Sequence, residues 1–139
     1  ESDAFIFVQM ELCKYTLEEW LKKSENISRN IVRMKSWFKQ IVSAVGYIHE
    51  QGYIHRDIKP SNILFSKTDH LKICNLGIST AFKVDNGEEI DATYSNIGTP
   101  LYQAPEQALQ YNSKVDIFPL GLIFAELCIT MTEDQRTNV

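Results

Sequence analysis

Between residues 30 and 51 the apolar side chains fall on one face of a helix, and no other stretch constrains the fold as strongly. Met34, Phe38, Ile41, Val45 and Ile48 are spaced four, three, four and three residues apart, a single stripe at helical period. Trp37, Val42 and Ala44 widen the stripe, as a helix covered on more than one side requires. Gly52 stands at the expected stop position. A second helix is expected over about 114–128, capped by Asn112-Ser113 and apolar nearly all round, as a core helix should be. Pro119 is an oddity there. Past the first turn it removes a backbone hydrogen bond, at about 3 kcal/mol unless the helix kinks or starts late. The two helices are expected to pack against each other.

The first helix delivers the chain to a loop, 54–62, that reads Ile54-His55-Arg56-Asp57-Ile58-Lys59-Pro60-Ser61-Asn62, or H-R-D-x-K-x-x-N. Each fixed position suits the movement of a phosphoryl group, a reaction that asks a protein for positioning and electrostatics more than for covalent help. Asp57 can orient and deprotonate an attacking hydroxyl. Lys59 can offset the charge of the transferred phosphate. Asn62 offers a neutral amide oxygen to a magnesium ion, and Arg56 can pair with a phosphorylated loop. The alternative, a polar turn after a helix, does not account for five fixed identities at fixed spacing.

This loop resembles the catalytic loop of eukaryotic protein kinases. Val8-Gln9-Met10-Glu11-Leu12-Cys13, Pro105-Glu106-Gln107, Val115-Asp116-Ile117-Phe118 and Leu120-Gly121-Leu122-Ile123 resemble, within that family, the kinases of the translation initiation factor two alpha subunit. The resemblance implies an α+β fold: the mainly helical large, C-terminal lobe of a kinase domain, with a hinge strand and a small β-hairpin, and the domain incomplete. Residues 1–13 would be the last small-lobe strand and hinge, and 14–139 part of the large lobe. The strand formers of residues 4–10 fit that expectation. Glu11 and Cys13 would bind the adenine of ATP through their backbone, Met10 would guard the back of the pocket, and Leu64 would pack beneath the base. His55 belongs to the same motif, Asp116 matches the buried acid that holds the catalytic-loop backbone, and Glu106 matches the acid that closes the activation segment.

One motif departs from the family. Where kinases carry Asp-Phe-Gly this chain has Asn75-Leu76-Gly77. Leu76 keeps an apolar plug and Gly77 a flexible turn. Asn75 brings no charge, and magnesium sites usually rely on a carboxylate. Asn62 and Asn75 are then the candidate ligands, both neutral, so Mg2+ binding is expected to be weakened or absent. Residues 78–103 read as the activation segment, with an acidic, aperiodic middle at 85–91 expected to be a mobile loop. Phosphate on Thr93 or Thr99 could pair with Arg56. By resemblance the Thr99 hydroxyl also bridges Asp57 and Lys59.

Thr16-Leu17-Glu18-Glu19 is a capping box and predicts a short helix through about Lys23. Residues 63–65 and 71–74 predict a hairpin with a five-residue polar loop. His49 and His70 read as surface residues, and 130–139 as a frayed polar end. The net charge of −4 argues against a broad nucleic-acid surface, and no apolar run is long enough to span a bilayer. Cys13, Cys74 and Cys128 are far apart in sequence, which favours free thiols in a reducing, cytoplasmic setting. The first residue is Glu, and no glycine-rich loop or strand Lys is present, so the chain is expected to begin inside a longer one. Three readings follow. The first is a segment of a serine/threonine kinase that transfers phosphate from ATP to a protein hydroxyl, with initiation factor two alpha as substrate and a homodimer made through the small lobe. The second is a pseudokinase acting as a binding or dimerising module, and the third a non-functional partial gene product.

Overall fold

The computed structural model describes residues 7–25, 27–85, 88–90, 93–94, 97–132 and 135. Chain order is β1 (Tyr15–Thr16), α1 (Leu17–Lys23), α2 (Ile31–Glu50), β2 (Tyr53–Ile54), β3 (Ile63–Phe65), β4 (Leu71–Ile73), β5 (Thr80–Ala81), β6 (Lys83–Asp85), β7 (Glu88–Ile90), β8 (Thr93–Tyr94), β9 (Gln110–Tyr111) and α3 (Ile117–Cys128). Short 3-10 turns join them at Pro60–Asn62, Leu76–Ile78, Pro100–Tyr102, Pro105–Ala108 and Ser113–Asp116.

Helix α2 starts and stops where its signals lie. Asn30 accepts hydrogen bonds from the backbone of Val32 and Arg33, satisfying two amides that have no partner inside the helix. At the other end Gly52 turns the chain at φ 80°. Met34, Trp37, Ile41 and Val45 are buried, Phe38 is half-buried and Val42 is exposed, so the covered face is narrower than the pattern suggested. Phe38 meets Phe124 of α3 with ring centroids 4.6 Å apart, the expected helix–helix contact. In α1 the capping box is complete: Thr16 Oγ1 accepts from Glu19 N at 3.1 Å, and Glu19 Oε2 accepts from Thr16 N at 3.4 Å.

The predicted hairpin forms with Ile63 opposite Ile73 and Phe65 opposite Leu71, and β1 adds a third strand through Tyr15 opposite Phe65. Ser66 closes the loop, its Oγ accepting from Thr68 N and His70 N. Phe65 then stacks edge-on against Trp37, 4.8 Å between centroids, and Trp37 against Trp20 at 4.9 Å. This aromatic column joins the sheet, α2 and α1 into one core. Burying each such side chain contributes roughly 1.5–3 kcal/mol.

Four expectations change. The strand over 4–10 is not formed at 7–10, and 4–6 lie outside the described residues. Phe7, Val8, Met10 and Leu12 are exposed, and no described strand lies alongside to pair their backbone. The middle of the activation segment is a hairpin, with Asp85 opposite Glu88. Asn86 and Gly87, between the paired positions, lie outside the described residues. The third change is at α3, which begins later than residue 114: Ser113–Asp116 is a 3-10 turn, and Pro119 is the third residue of the α-helix, where it has no hydrogen bond to lose. Last, His49 is not a surface residue but is tucked against Asp116. Most of the frayed end falls at 133–134 and 136–139, outside the described residues.

Candidate active site

The loop after β2 is held from beneath by Asp116, which the 3-10 turn before α3 carries to the centre of the molecule with 1% of its surface exposed. Its Oδ2 accepts from His55 N and from His49 Nε2, both at 2.8 Å, and its Oδ1 accepts from Arg56 N at 2.8 Å. Two adjacent backbone amides on one carboxylate fix the chain direction. They also hold Arg56 at φ 70°, a left-handed conformation that a non-glycine residue rarely adopts. His55 is fully buried. Its Nδ1 accepts from Asp57 N at 3.2 Å, leaving the ring proton on Nε2, which donates to Cys74 O at 3.0 Å. His55 thus ties the catalytic loop to the end of β4.

Above this floor the polar groups converge on Asp57. Lys59 Nζ lies 3.0 Å from Asp57 Oδ2, and Asn62 Nδ2 donates to Oδ2 at 2.9 Å and to the Asp57 carbonyl at 2.7 Å. Thr99 Oγ1 donates to Asp57 Oδ1 at 2.8 Å and accepts from Lys59 Nζ at 2.6 Å. Burial alone would raise the Asp57 carboxyl; the hydrogen bonds from Lys59, Thr99 and Asn62, with the Lys59 charge, outweigh it and hold the group below its ordinary range. Asp57 is therefore an anion at neutral pH, able to orient a hydroxyl and take its proton as that proton is released.

The activation segment reaches this site through a close approach of backbones. Gly98 sits at φ 128°, and a Cβ there would lie 2.7 Å from the Arg56 carbonyl. Gln107, which is buried, braces the same turn by accepting from Ala104 N and donating to Ile97 O. The Arg56 side chain donates through Nε to Ile78 O at 2.6 Å and through Nη1 to the Tyr111 hydroxyl at 3.4 Å. Tyr111 in turn pairs with Thr93 across β8 and β9, so the backbone of one candidate phosphorylation site is placed opposite an Arg56 partner. The other candidate, Thr99, already uses its hydroxyl oxygen between Asp57 and Lys59. A phosphate there would stand against the Asp57 carboxylate.

The remaining candidates are spread more widely. Leu64 is half-buried in β3, and Cys13 lies near Cys74, whose thiol is pushed up by burial and by its neighbour. Glu11 is exposed and pairs with Lys72 at 2.6 Å. Met10 is three-quarters exposed rather than closed over a pocket, and Leu76 and Glu106 are exposed. Asn75 takes a left-handed turn, φ 68° and ψ 59°, and its Nδ2 donates to Asn62 Oδ1 at 3.4 Å. This donor set does not fit Mg2+: neither amide carries charge, and the Asn62 oxygen already has an amide proton directed at it. Among the described residues no group of three or more His, Cys, Asp or Glu could hold a metal ion. His49 and Tyr111 were not singled out as site residues from the sequence, and Gln107 was named there only as part of the Pro105-Glu106-Gln107 motif.

The model of the protein kinase domain matches residues 1–137. The Caenorhabditis elegans eukaryotic translation initiation factor 2-alpha kinase pek-1 is 41% identical over 97% of this chain and 14% of its own length. The interferon-induced, double-stranded RNA-activated protein kinase of Rattus norvegicus is 44% identical over 94% of this chain and 26% of its own, and the Homo sapiens eIF-2-alpha kinase GCN2 is 38% identical over 91% and 9%. The chain thus spans a quarter or less of the length of two of these relatives and little more of the third. With the catalytic loop, its buried acid and its threonine bridge in place, the chain belongs to the protein kinase domain family, with kinases of initiation factor 2 alpha among its relatives.

Proposed function

We propose that the chain carries the hydroxyl-activating part of a serine/threonine protein kinase whose substrate is the alpha subunit of translation initiation factor 2. The observation that carries this reading is the Thr99 bridge. An alcohol already donates to Asp57 Oδ1 while a cation contacts both its oxygen and Oδ2 of the same carboxylate. An incoming serine hydroxyl would meet the same chemistry: its proton passes to Asp57 as its oxygen bonds to the gamma-phosphorus of ATP, the bond from that phosphorus to the bridging oxygen breaks to leave ADP, and Lys59 offsets the charge on the transferred group. ATP, the phosphate donor generally used by the family, would be met by the Glu11 and Cys13 backbone and by Leu64. The test is phosphate incorporation from ATP into recombinant initiation factor 2 alpha. Asp57→Asn is expected to lower it by at least about a hundredfold. A folded protein that transfers no phosphate even as the Asn75→Asp variant overturns the reading.

A second reading is favoured by Asn75. With no carboxylate in the turn after β4, the same fold serves as a binding or dimerising module. Asn75→Asp separates the two. A kinase held back only by this residue gains at least about a hundredfold in transfer, corresponding to about 3 kcal/mol at the transition state. A binding module gains nothing.

A further inference from the structure

We propose that the Asn75–Asn62 amide pair takes the place of a cation here: it is a neutral latch that ties the turn after β4 to the catalytic loop without metal. The inference deepens the second reading above and rests on it only for its biological use. Asn62 commits both donors of its amide to Asp57, one to the carbonyl and one to Oδ2. Its oxygen is therefore the only polar atom it has left to present to the turn. Asn75 answers with a donor, Nδ2, from a left-handed backbone conformation that Asn tolerates better than most residues. The result is a continuous chain of side chains: Asn75 donates to Asn62, Asn62 to Asp57, Thr99 to Asp57, and Lys59 to Thr99. It joins three segments, the turn at 75–78, the catalytic loop and the start of the 3-10 turn at Pro100–Tyr102.

An Asp at position 75 would reverse this logic. A carboxylate oxygen would face the Asn62 oxygen with no proton between them, an arrangement that a divalent cation relieves and its absence does not. Asn75 removes both the repulsion and the charge that would recruit the ion. The chain is therefore expected to hold its catalytic loop equally well with and without Mg2+.

The experiment compares the protein with Asn75→Asp and Asn75→Ala, without nucleotide, by thermal melting and by the 15N resonances of the Asn62 side-chain amide. The unmodified protein should melt within about 1 °C of the same temperature with and without 10 mM MgCl2, and its Asn62 resonances should not move. Asn75→Asp should melt lower in chelator and regain about 2–4 °C with Mg2+, with the Asn62 amide shifting on titration. Asn75→Ala, which loses the donor and adds no charge, should melt lower than the unmodified protein and stay there with Mg2+. Two results overturn the proposal: Mg2+ shifting the unmodified protein as much as Asn75→Asp, or Asn75→Asp indifferent to Mg2+. The readout requires no phosphate transfer, so melting and resonances that behave this way, with Asn75→Asp still inactive, sink the kinase reading and leave the latch standing.

Discussion

Burial works against the Asp57 carboxylate, and the donors around it reverse the outcome. Because the folded pKa is lowered from 3.8, the stability that the carboxylate's contacts supply is fully present above that value and is lost as pH falls through the lower folded value. Acid unfolding linked to this group therefore belongs below pH 3.8 and does not touch the neutral range. Lys59→Met removes one hydrogen bond and the only cation beside Asp57 among the causes of the shift, while the desolvation stays. The Asp57 pKa should rise, which a carboxyl carbon NMR titration of the two proteins reads directly. An unchanged or lower value would mean that Lys59 is held by Thr99 alone and does not set the charge at the site. The fall in phosphate transfer expected of the same variant is a separate measurement, because Lys59 also faces the transferred group in the proposed reaction.

Pro119 shows how an element can be read correctly in kind and wrongly in extent. Its position inside an apolar run implied a cost unless the helix kinked or started late; α3 starts late, at Ile117, which makes Pro119 a buried first-turn residue. Pro119→Ala should then destabilise by about 1–2 kcal/mol, through lost packing and a more flexible unfolded chain. A mid-helix proline would give the opposite sign, a gain of up to about 3 kcal/mol on replacement. Urea unfolding of the two proteins decides between them. The elements that were legible carry local signals: the α2 stripe, the Thr16 capping box, the polar loop between Phe65 and Leu71. The loop 54–62 stood out for another reason, because five fixed identities at fixed spacing mark it in the sequence. What escaped was set by distant partners. Nothing local to His49 says that Asp116, 67 residues on, will reach it. The two-residue strands β1, β2, β5, β8 and β9 are too short for periodicity to register. The β6–β7 hairpin was missed because its three-residue strands are acidic and too short to show a period.

At the scale of the whole molecule, the described residues combine a packed core with an extended apolar segment left in water. The aromatic column and the α2–α3 contact enclose the core, whereas Phe7, Val8, Met10 and Leu12 lie in an extended segment with 93%, 72%, 75% and 75% of their surface exposed. The described attachment of this segment includes the Glu11–Lys72 pair, which is exposed and weakened by salt, and the Lys14 amide donating to Phe65 O at 2.8 Å. Side chains this exposed contribute little to folding, and apolar surface left in water is covered by a second copy as readily as by any other surface. The combined change Phe7→Ser, Val8→Thr and Leu12→Ser should therefore lower the binding of an apolar fluorescent dye. It should also reduce concentration-dependent association in sedimentation, with the unfolding midpoint held to within about 1 °C. A fall of several degrees in the midpoint would show that these side chains are buried in the folded chain, and the extended arrangement of residues 7–12 would have to be abandoned.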